Sequence, residues 1–336
     1  MGSSMTKRYT MVALGRPVPG YAELWESQPE IAGIVRFEHA QPQGIRWGRR
    51  ALGLGVDAAV VAVKAVLTGP RRSFLALNPW TGAALRLLGR RDLAVTGLYA
   101  REGSRSWRIL RRLLGSAPVI ATVEVEAAAW TADGGRAAHV LYGTEFPYPS
   151  KREHDAGQPP SLFVGGSSDR DRTVVDALIA QVLDSPDPIH LTLAIGRESS
   201  PLSNGAGSRV VSVGPVTQAE FGRLMSEADL VFLPLKIGER AAGHMVTVGA
   251  LQIGVPVATT PSIGMKGYID GVFVRVVRGG DTLLADLLVI AREMRTRTSE
   301  IRAHWAATHS RTVNARAVLD ALAALEQASS TGTGRR

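Results

Sequence analysis

The sequence predicts an α/β protein of two halves, each a parallel sheet covered on both faces by helices. Three observations carry that prediction. Short apolar runs of strand length alternate with longer stretches of helical periodicity along the chain. The alternation breaks once, at a polar, Pro-rich stretch over residues 142–160, and then restarts. Late in the second half, a Gly-bearing turn, a helix-like run, Gly-x-Pro and an apolar strand follow in order over residues 240–260. At 336 residues the chain is long enough for two domains with sizeable cores.

In the first half, residues 8–15 read as a strand that runs into a loop rich in Gly and Pro, Gly15-Arg16-Pro17-Val18-Pro19-Gly20. Further strands are expected at 31–37, 74–77, 94–98 and 119–123, with helices at 51–67, 81–88, 104–114 and 125–133. In the second half the order is strand 161–164, helix 173–183, strands 190–195 and 210–213, helix 218–227 and strand 230–233. A helix closed by Gly254, strands at 255–259 and 272–277, and helices at 282–306 and 314–327 complete it. The expected domains are 5–148 and 149–327, with the last helix free to pack back on the first domain and a disordered polar tail at 328–336.

Composition narrows the chemistry. Hydrophobic residues make up 45% and charged residues 21%, as in an ordinary globular protein. The chain has no cysteine, which excludes disulfides, thiolate catalysis and Cys-based metal sites, and fits a cytoplasmic protein. The longest apolar run, residues 56–67, is too short to span a bilayer and contains Asp57 and Lys64. Charge is uneven: residues 1–150 hold 19 Lys and Arg against 11 Asp and Glu, so most of the net charge of +9 lies there. The first half is therefore expected to meet an anionic surface or substrate. Nucleic acid is not expected as a partner, because no helix-turn-helix, zinc-finger or RNA-recognition signature accompanies the basic residues.

Four segments of the second half carry binding chemistry. At Leu162 to Arg172 a strand runs into Gly165-Gly166-Ser167-Ser168-Asp169-Arg170-Asp171 and then a helix. The glycines let backbone amides approach a ligand, Ser168 or Asp169 would cap the helix, and Arg170 matches phosphate oxygens in a bidentate way. Gly243-His244-Met245-Val246-Thr247 opens a second helix, whose unpaired amides and partial positive charge suit a phosphate. Val213-Gly214-Pro215-Val216 is a strand end and turn, and Lys236 follows the strand end Leu233-Pro234-Leu235. Asp169-Arg170-Asp171 has the spacing of a metal-binding acidic pair but lies at a helix start, so it reads as capping and no metal site is assigned.

The order of these pieces resembles GT-B glycosyltransferases, in particular glycosyltransferase family 4 and related bacterial enzymes. The series strand-Gly-x-Val, Glu220-Phe221, Ala228-Asp229-Leu230-Val231-Phe232-Leu233-Pro234, Ala242-Gly243, helix, Gly254-Val255-Pro256-Val257, Gly264 to Gly271 carries the likeness. It covers residues 162–281. The resemblance implies two Rossmann-like domains facing across a cleft, with the donor in the second and the acceptor in the first. It implies Gly214 and Val216 at the base, and Gly165, Gly166, Ser167, Arg170, Lys236, Gly243, His244, Met245, Val246 and Thr247 around the diphosphate or donor sugar. Gly15 and Arg16 would line the cleft from the first domain. The implied reaction moves a sugar from a nucleoside diphosphate, UDP foremost, to an acceptor hydroxyl on a glycan, glycolipid or small natural product. It needs no metal or other cofactor, and retention of configuration is expected.

One departure is plain. Aligning Gly254-Val255-Pro256-Val257 with the family pattern puts Ala241 and Gly249 where the family has two glutamates, the second of which binds ribose. In the first half, the strand at 94–98 ends beside Tyr99 and Glu102, the candidate catalytic groups, with Glu102 as the base beside an acceptor hydroxyl if the reaction inverts. A sugar epimerase of the same fold and a non-catalytic nucleotide-sugar-binding or scaffold protein remain as alternatives.

Residues 104–114 form an amphipathic helix with Trp107, Ile109, Leu110, Leu113 and Leu114 on one arc and Arg105, Arg108, Arg111 and Arg112 on the other. Either the apolar arc packs on its own sheet, or the helix touches an anionic membrane face, extended by Arg46 to Arg50 and Arg71-Arg72. The second reading makes the protein peripheral at the inner face of the membrane.

Overall fold

The computed structural model describes residues 7–14, 21–37, 47–69, 73–98, 100–152, 157–196, 198–238 and 242–332. The chain divides into two compact units, residues 1–140 with 315–336, and residues 141–314.

The first unit holds strands β1 (Tyr9–Leu14), β2 (Ile31–Phe37), β3 (Phe74–Ala76), β4 (Leu93–Thr96), β5 (Pro118–Ala121) and β6 (Arg136–His139). They form one parallel sheet in the order β2-β1-β3-β4-β5-β6. Its helices are α1 (Tyr21–Glu26), α2 (Trp47–Thr68), α3 (Pro79–Leu87), α4 (Arg105–Leu114) and α5 (Glu124–Ala132). Successive strand residues point to opposite faces, and both faces are buried. Val12, Phe74, Ala76, Val95, Val119 and Ala121 pack against α2 to α5. Met11, Leu75, Ala94 and Ile120 pack with Trp25 and with Ala315, Val318, Leu319 and Leu322 near the C-terminus. This is why the strands read as nearly continuous apolar runs.

Local signals start and stop the helices. Asn78 accepts from the Trp80 amide at 2.9 Å, with Pro79 at the first helical position of α3. Ser104 caps α4 through the Trp107 amide at 3.2 Å, and Gly115 ends that helix at φ 58°. The arc of Trp107, Leu110 and Leu114 is buried in the sheet's own core. Arg111 lies over the Trp130 ring at 5.0 Å, while Arg105, Arg108 and Arg112 are exposed.

The second unit holds β7 (Ser161–Gly165), α6 (Arg172–Asp184), β8 (His190–Ala194), β9 (Ser199–Ser203), β10 (Arg209–Ser212), α7 (Gln218–Ser226) and β11 (Leu230–Leu233). Then come α8 (His244–Ile253), β12 (Val257–Thr259), β13 (Val274–Val276), α9 (Leu283–Met294), α10 (Thr298–Thr308) and α11 (Arg311–Gly332), the last continuing into the first unit. The sheet order is β13-β12-β11-β7-β8-β10-β9, parallel except for the edge strand β9. Asp171, rather than Ser168 or Asp169, caps α6, accepting from Thr173 and Val174 at 3.0 and 3.4 Å. The long helix expected over 282–306 is broken at Arg295–Arg297 into α9 and α10. α11 runs past Ala328 to Gly332, into the stretch expected to be disordered.

Candidate functional site

In a doubly wound sheet, ligands bind beyond the carboxyl ends of the strands, where the strand order reverses. In the second unit that reversal lies between β7 and β11. The loops leaving these two strands are tied together. The Asp171 amide donates to the Pro234 carbonyl at 2.7 Å, the Lys236 amide donates to the Asp169 carbonyl at 2.9 Å, and Arg170 forms a bridge with Leu235.

The loop after β7 turns on Gly166, at φ 82°. A Cβ there would stand 2.6 Å from Arg170 Nη2 and 3.4 Å from Val246 Cγ2, so the turn and the start of α8 lie side by side. Arg170 is only 5% exposed. Its Nε and Nη2 donate to the Gly165 carbonyl at 2.9 and 2.6 Å, and its Nη1 donates to the Ser168 carbonyl at 2.9 Å. Burial pushes its pKa down to about 10, with Asp169 opposing the shift. The guanidinium expected to meet a diphosphate directly thus staples the loop's own carbonyls.

α8 begins at Gly243, at φ 99°, without a side-chain cap. Its first helical bond is from the Thr247 amide to the Gly243 carbonyl at 2.9 Å. The Met245 and Val246 amides find no acceptor among the described residues. Thr247 is fully buried, and its Oγ1 has no hydrogen-bond partner. Unpaired amides at a helix start and an unsatisfied hydroxyl in its first turn are what an anion would complete. His244 is half-buried, its ring centroid 5.1 Å from that of Tyr142 and 5.8 Å from that of Tyr268. Lys236 is exposed at the neighbouring loop.

The other end of the row is formed by the loops after β8 and β10. A Cβ on Gly196 would stand 3.9 Å from Ser167 Cβ, and one on Gly214 would stand 3.4 Å from Glu198 Oε2. Val216 is half-buried just beyond. From β11 through β7 and β8 to β10 is three strand spacings, about 14 Å, room for a diphosphate, ribose and base laid end to end. The residues singled out in the second half therefore form one continuous row. Glu198 was not among them. Its only sequence signal is its place after the apolar run at 190–195.

In α8, Gly249 stands where the family pattern has its ribose-binding glutamate. A Cβ there would meet Tyr148 Cε2 at 2.8 Å. Tyr148 stacks on Phe146 at 4.8 Å, and burial raises its phenol pKa to about 12. Aromatic packing fills that position. In the first unit, Glu102 is exposed in the turn between β4 and α4. Tyr99, Gly15, Arg16 and Ala241 lie outside the described residues, as do Arg46, Arg71 and Arg72.

No protein-family model matches the chain, and no curated protein sequence does. Solved structures do match. Sucrose-phosphate synthase from Thermosynechococcus elongatus aligns with a TM-score of 0.65 at 15% identity, over 96% of this chain and 100% of that one. HepE from Anabaena, solved in complex with UDP, aligns at 0.60 and 16% identity, over 95% of this chain and 100% of that one. A Listeria monocytogenes protein described as a UDP-N-acetylglucosamine 2-epimerase aligns at 0.57 and 12% identity, over 94% and 96%. At these identities the likeness shows the fold: the chain has the GT-B architecture of two α/β domains, each built on a parallel sheet.

Proposed function

We propose that the protein is a glycosyltransferase that moves a sugar from a UDP-sugar to an acceptor hydroxyl without a metal ion. The observation that carries this reading is the junction of Gly166 with the first turn of α8, where the Met245 and Val246 amides, without an acceptor among the described residues, adjoin a buried, unpartnered Thr247 hydroxyl. In the reaction the bond from the sugar C1 to the diphosphate oxygen breaks and the acceptor oxygen takes its place. Negative charge grows on the leaving diphosphate. Helix-start amides fixed in advance, with Lys236 nearby, stabilise that charge where it develops. Arg170 acts as a positioning residue that holds the Gly165 loop in shape.

The base and ribose lie toward Gly214 and Val216. Glu198 supplies the carboxylate for the ribose hydroxyls in place of the missing family glutamates. On the acceptor side, Glu102 and Tyr99 are the proposed catalytic groups. Retention of configuration rests on the resemblance to family 4 alone. Contact with anionic lipid is proposed for the basic first unit. α2 supports it by leaving Val56, Val60, Val63 and Leu67 exposed along one stripe of the helix.

The epimerase likeness keeps one other reading open, because the fold serves both chemistries. Incubation with UDP-sugars separates them. A transferase releases UDP only when an acceptor is added. An epimerase changes the sugar without one, and a binding protein does neither. Sugar isomerisation with no acceptor-dependent UDP release would overturn the proposal.

A further inference from the structure

The first unit carries an open cavity of about 1070 Å³ at the amino ends of β4 and β5, marked by Leu93 and Pro118. This is the edge opposite the carboxyl end of the sheet, where the turn bearing Glu102 emerges. The C-terminal ends of α3 and α4 and the Glu326 side chain complete the wall. Lys7, Arg86, Arg91, Arg112 and Arg136 line it, against two carboxylates, Asp92 and Glu326.

Both carboxylates are already engaged. Lys7 Nζ bridges them, 2.5 Å from Asp92 Oδ1 and 2.7 Å from Glu326 Oε1. Ser73 Oγ donates to Asp92, and the Tyr9 hydroxyl donates to Glu326 at 2.5 Å. None of the four arginines forms an ion pair among the described residues. Arg86 donates to the Leu114 carbonyl at 3.1 and 3.3 Å and to the Arg91 carbonyl at 3.2 Å. Arg136 donates to the Ser116 and Leu325 carbonyls. The Arg91 and Arg112 side chains are exposed, and neither guanidinium has a hydrogen-bond partner among the described residues.

Four guanidinium groups around one concavity repel each other. The two helix C-termini offset about half a charge each, and the Lys7 cluster contributes one further negative charge. A positive excess remains, concentrated by the concave walls. No aromatic residue lines the cavity among the described residues, so these offer no platform for stacking a base. What it offers is guanidinium forks, which match phosphate oxygens two at a time, in a volume large enough for more than one phosphate.

We propose that this cavity binds an anion carrying two or more phosphate groups, at a site separate from the donor site of the second unit. Two sources share that chemistry, a free polyphosphorylated small molecule and the headgroup of a diphosphorylated lipid. The test uses the full chain and its Arg91→Gln/Arg112→Gln variant. These two side chains have no partner among the described residues, so the ligand-free melting temperature stays the same or rises as repulsion is relieved. Titration calorimetry with inorganic pyrophosphate at saturating UDP, which keeps the donor site filled, reads the free anion, and cosedimentation with cardiolipin-containing vesicles at low salt reads the lipid.

The proposal expects binding to at least one probe that weakens about tenfold or more in the variant, the effect of losing charged hydrogen bonds, while UDP affinity is unchanged. Loss in the pyrophosphate arm identifies a soluble ligand, and loss in the vesicle arm alone identifies the lipid. Equal binding of both probes by the two proteins, or no binding by the unaltered chain, overturns the proposal. If the double variant fails to fold, each single Gln variant is read by the same criteria. Because UDP binding is measured alongside, failure of this site and failure of the donor reading are distinguishable.

Discussion

The Asp171 amide donates to the Pro234 carbonyl at 2.7 Å, joining the loop after β7 to the loop after β11 at the point where the strand order reverses. One residue serves two ends here, because the Asp171 carboxylate also caps α6. The loop that would hold a diphosphate is thereby fixed at its helix end by Asp171 and across its middle by the Arg170 staple.

Thr247→Val separates binding from folding. The hydroxyl is buried without a partner, a condition that costs about 1–3 kcal/mol. Replacing it by a methyl group should leave stability in urea unchanged or raise it. UDP affinity should fall about fivefold, the worth of one hydrogen bond near 1 kcal/mol. A variant that loses stability and keeps UDP affinity would remove Thr247 from the site.

Arg170→Ala acts first on the fold. It strips the Gly165 and Ser168 carbonyls of charge-assisted donors in a buried place, a loss of about 1.5–3 kcal/mol. Urea unfolding should show that loss without ligand, and UDP binding should weaken with it. Weakened binding at unchanged stability would show direct contact with the diphosphate instead.

Gly249→Glu places a carboxylate where the family 4 pattern has one, but without room for it. Its Cβ would stand 2.8 Å from Tyr148 and 3.3 Å from Met225. Overpacking alone costs about 1–3 kcal/mol, and a buried carboxylate adds to that. The variant should be destabilised and should gain no UDP affinity. Tighter UDP binding in a folded variant would contradict the packing described. Glu198→Gln, by contrast, should keep the fold and weaken UDP more than it weakens inorganic pyrophosphate.

His309 makes stability pH-dependent in one direction. Burial lowers its pKa below the ordinary 6.5, although the Tyr142 carbonyl, 3.1 Å from Nδ1, partly opposes the shift. The unfolded chain then binds more protons than the folded one as pH falls below about 6.5. The stability from neutral His309 is therefore present above that pH and is lost as pH falls toward the folded pKa, by at most about 1.4 kcal/mol per pH unit. Urea midpoints should drop on acidification, and His309→Gln should flatten the drop. An unchanged slope in the variant would assign the pH dependence to other groups.

Much of this architecture was legible because short continuous apolar strands, helical arcs and Gly turns are local signals. What was missed is not local. β6 has no apolar run, and β9 is an exposed edge strand containing Pro201, tolerated because an edge leaves one side of the backbone unpaired. The row from Thr247 to Gly214 was readable residue by residue, since helix starts and glycine turns announce themselves. The direction in which Arg170 points was not, because its acceptors are carbonyls exposed only by the fold of the loop. Glu198 meets Gly214 across two neighbouring strands. The arginine cavity is assembled from two helix ends, two strand starts and a helix far along the chain. Of the apolar arc of α4, open in sequence to core or membrane, Trp107, Leu110 and Leu114 are buried in the core beside Trp130, while Ile109 stays exposed.

The most direct test of the central claim is calorimetric titration of the full chain with UDP in the presence of EDTA. UDP should bind one to one without added metal, more weakly in Thr247→Val and equally well in Arg91→Gln/Arg112→Gln. No binding of UDP, or binding that appears only when Mg²⁺ or Mn²⁺ is restored, would contradict it.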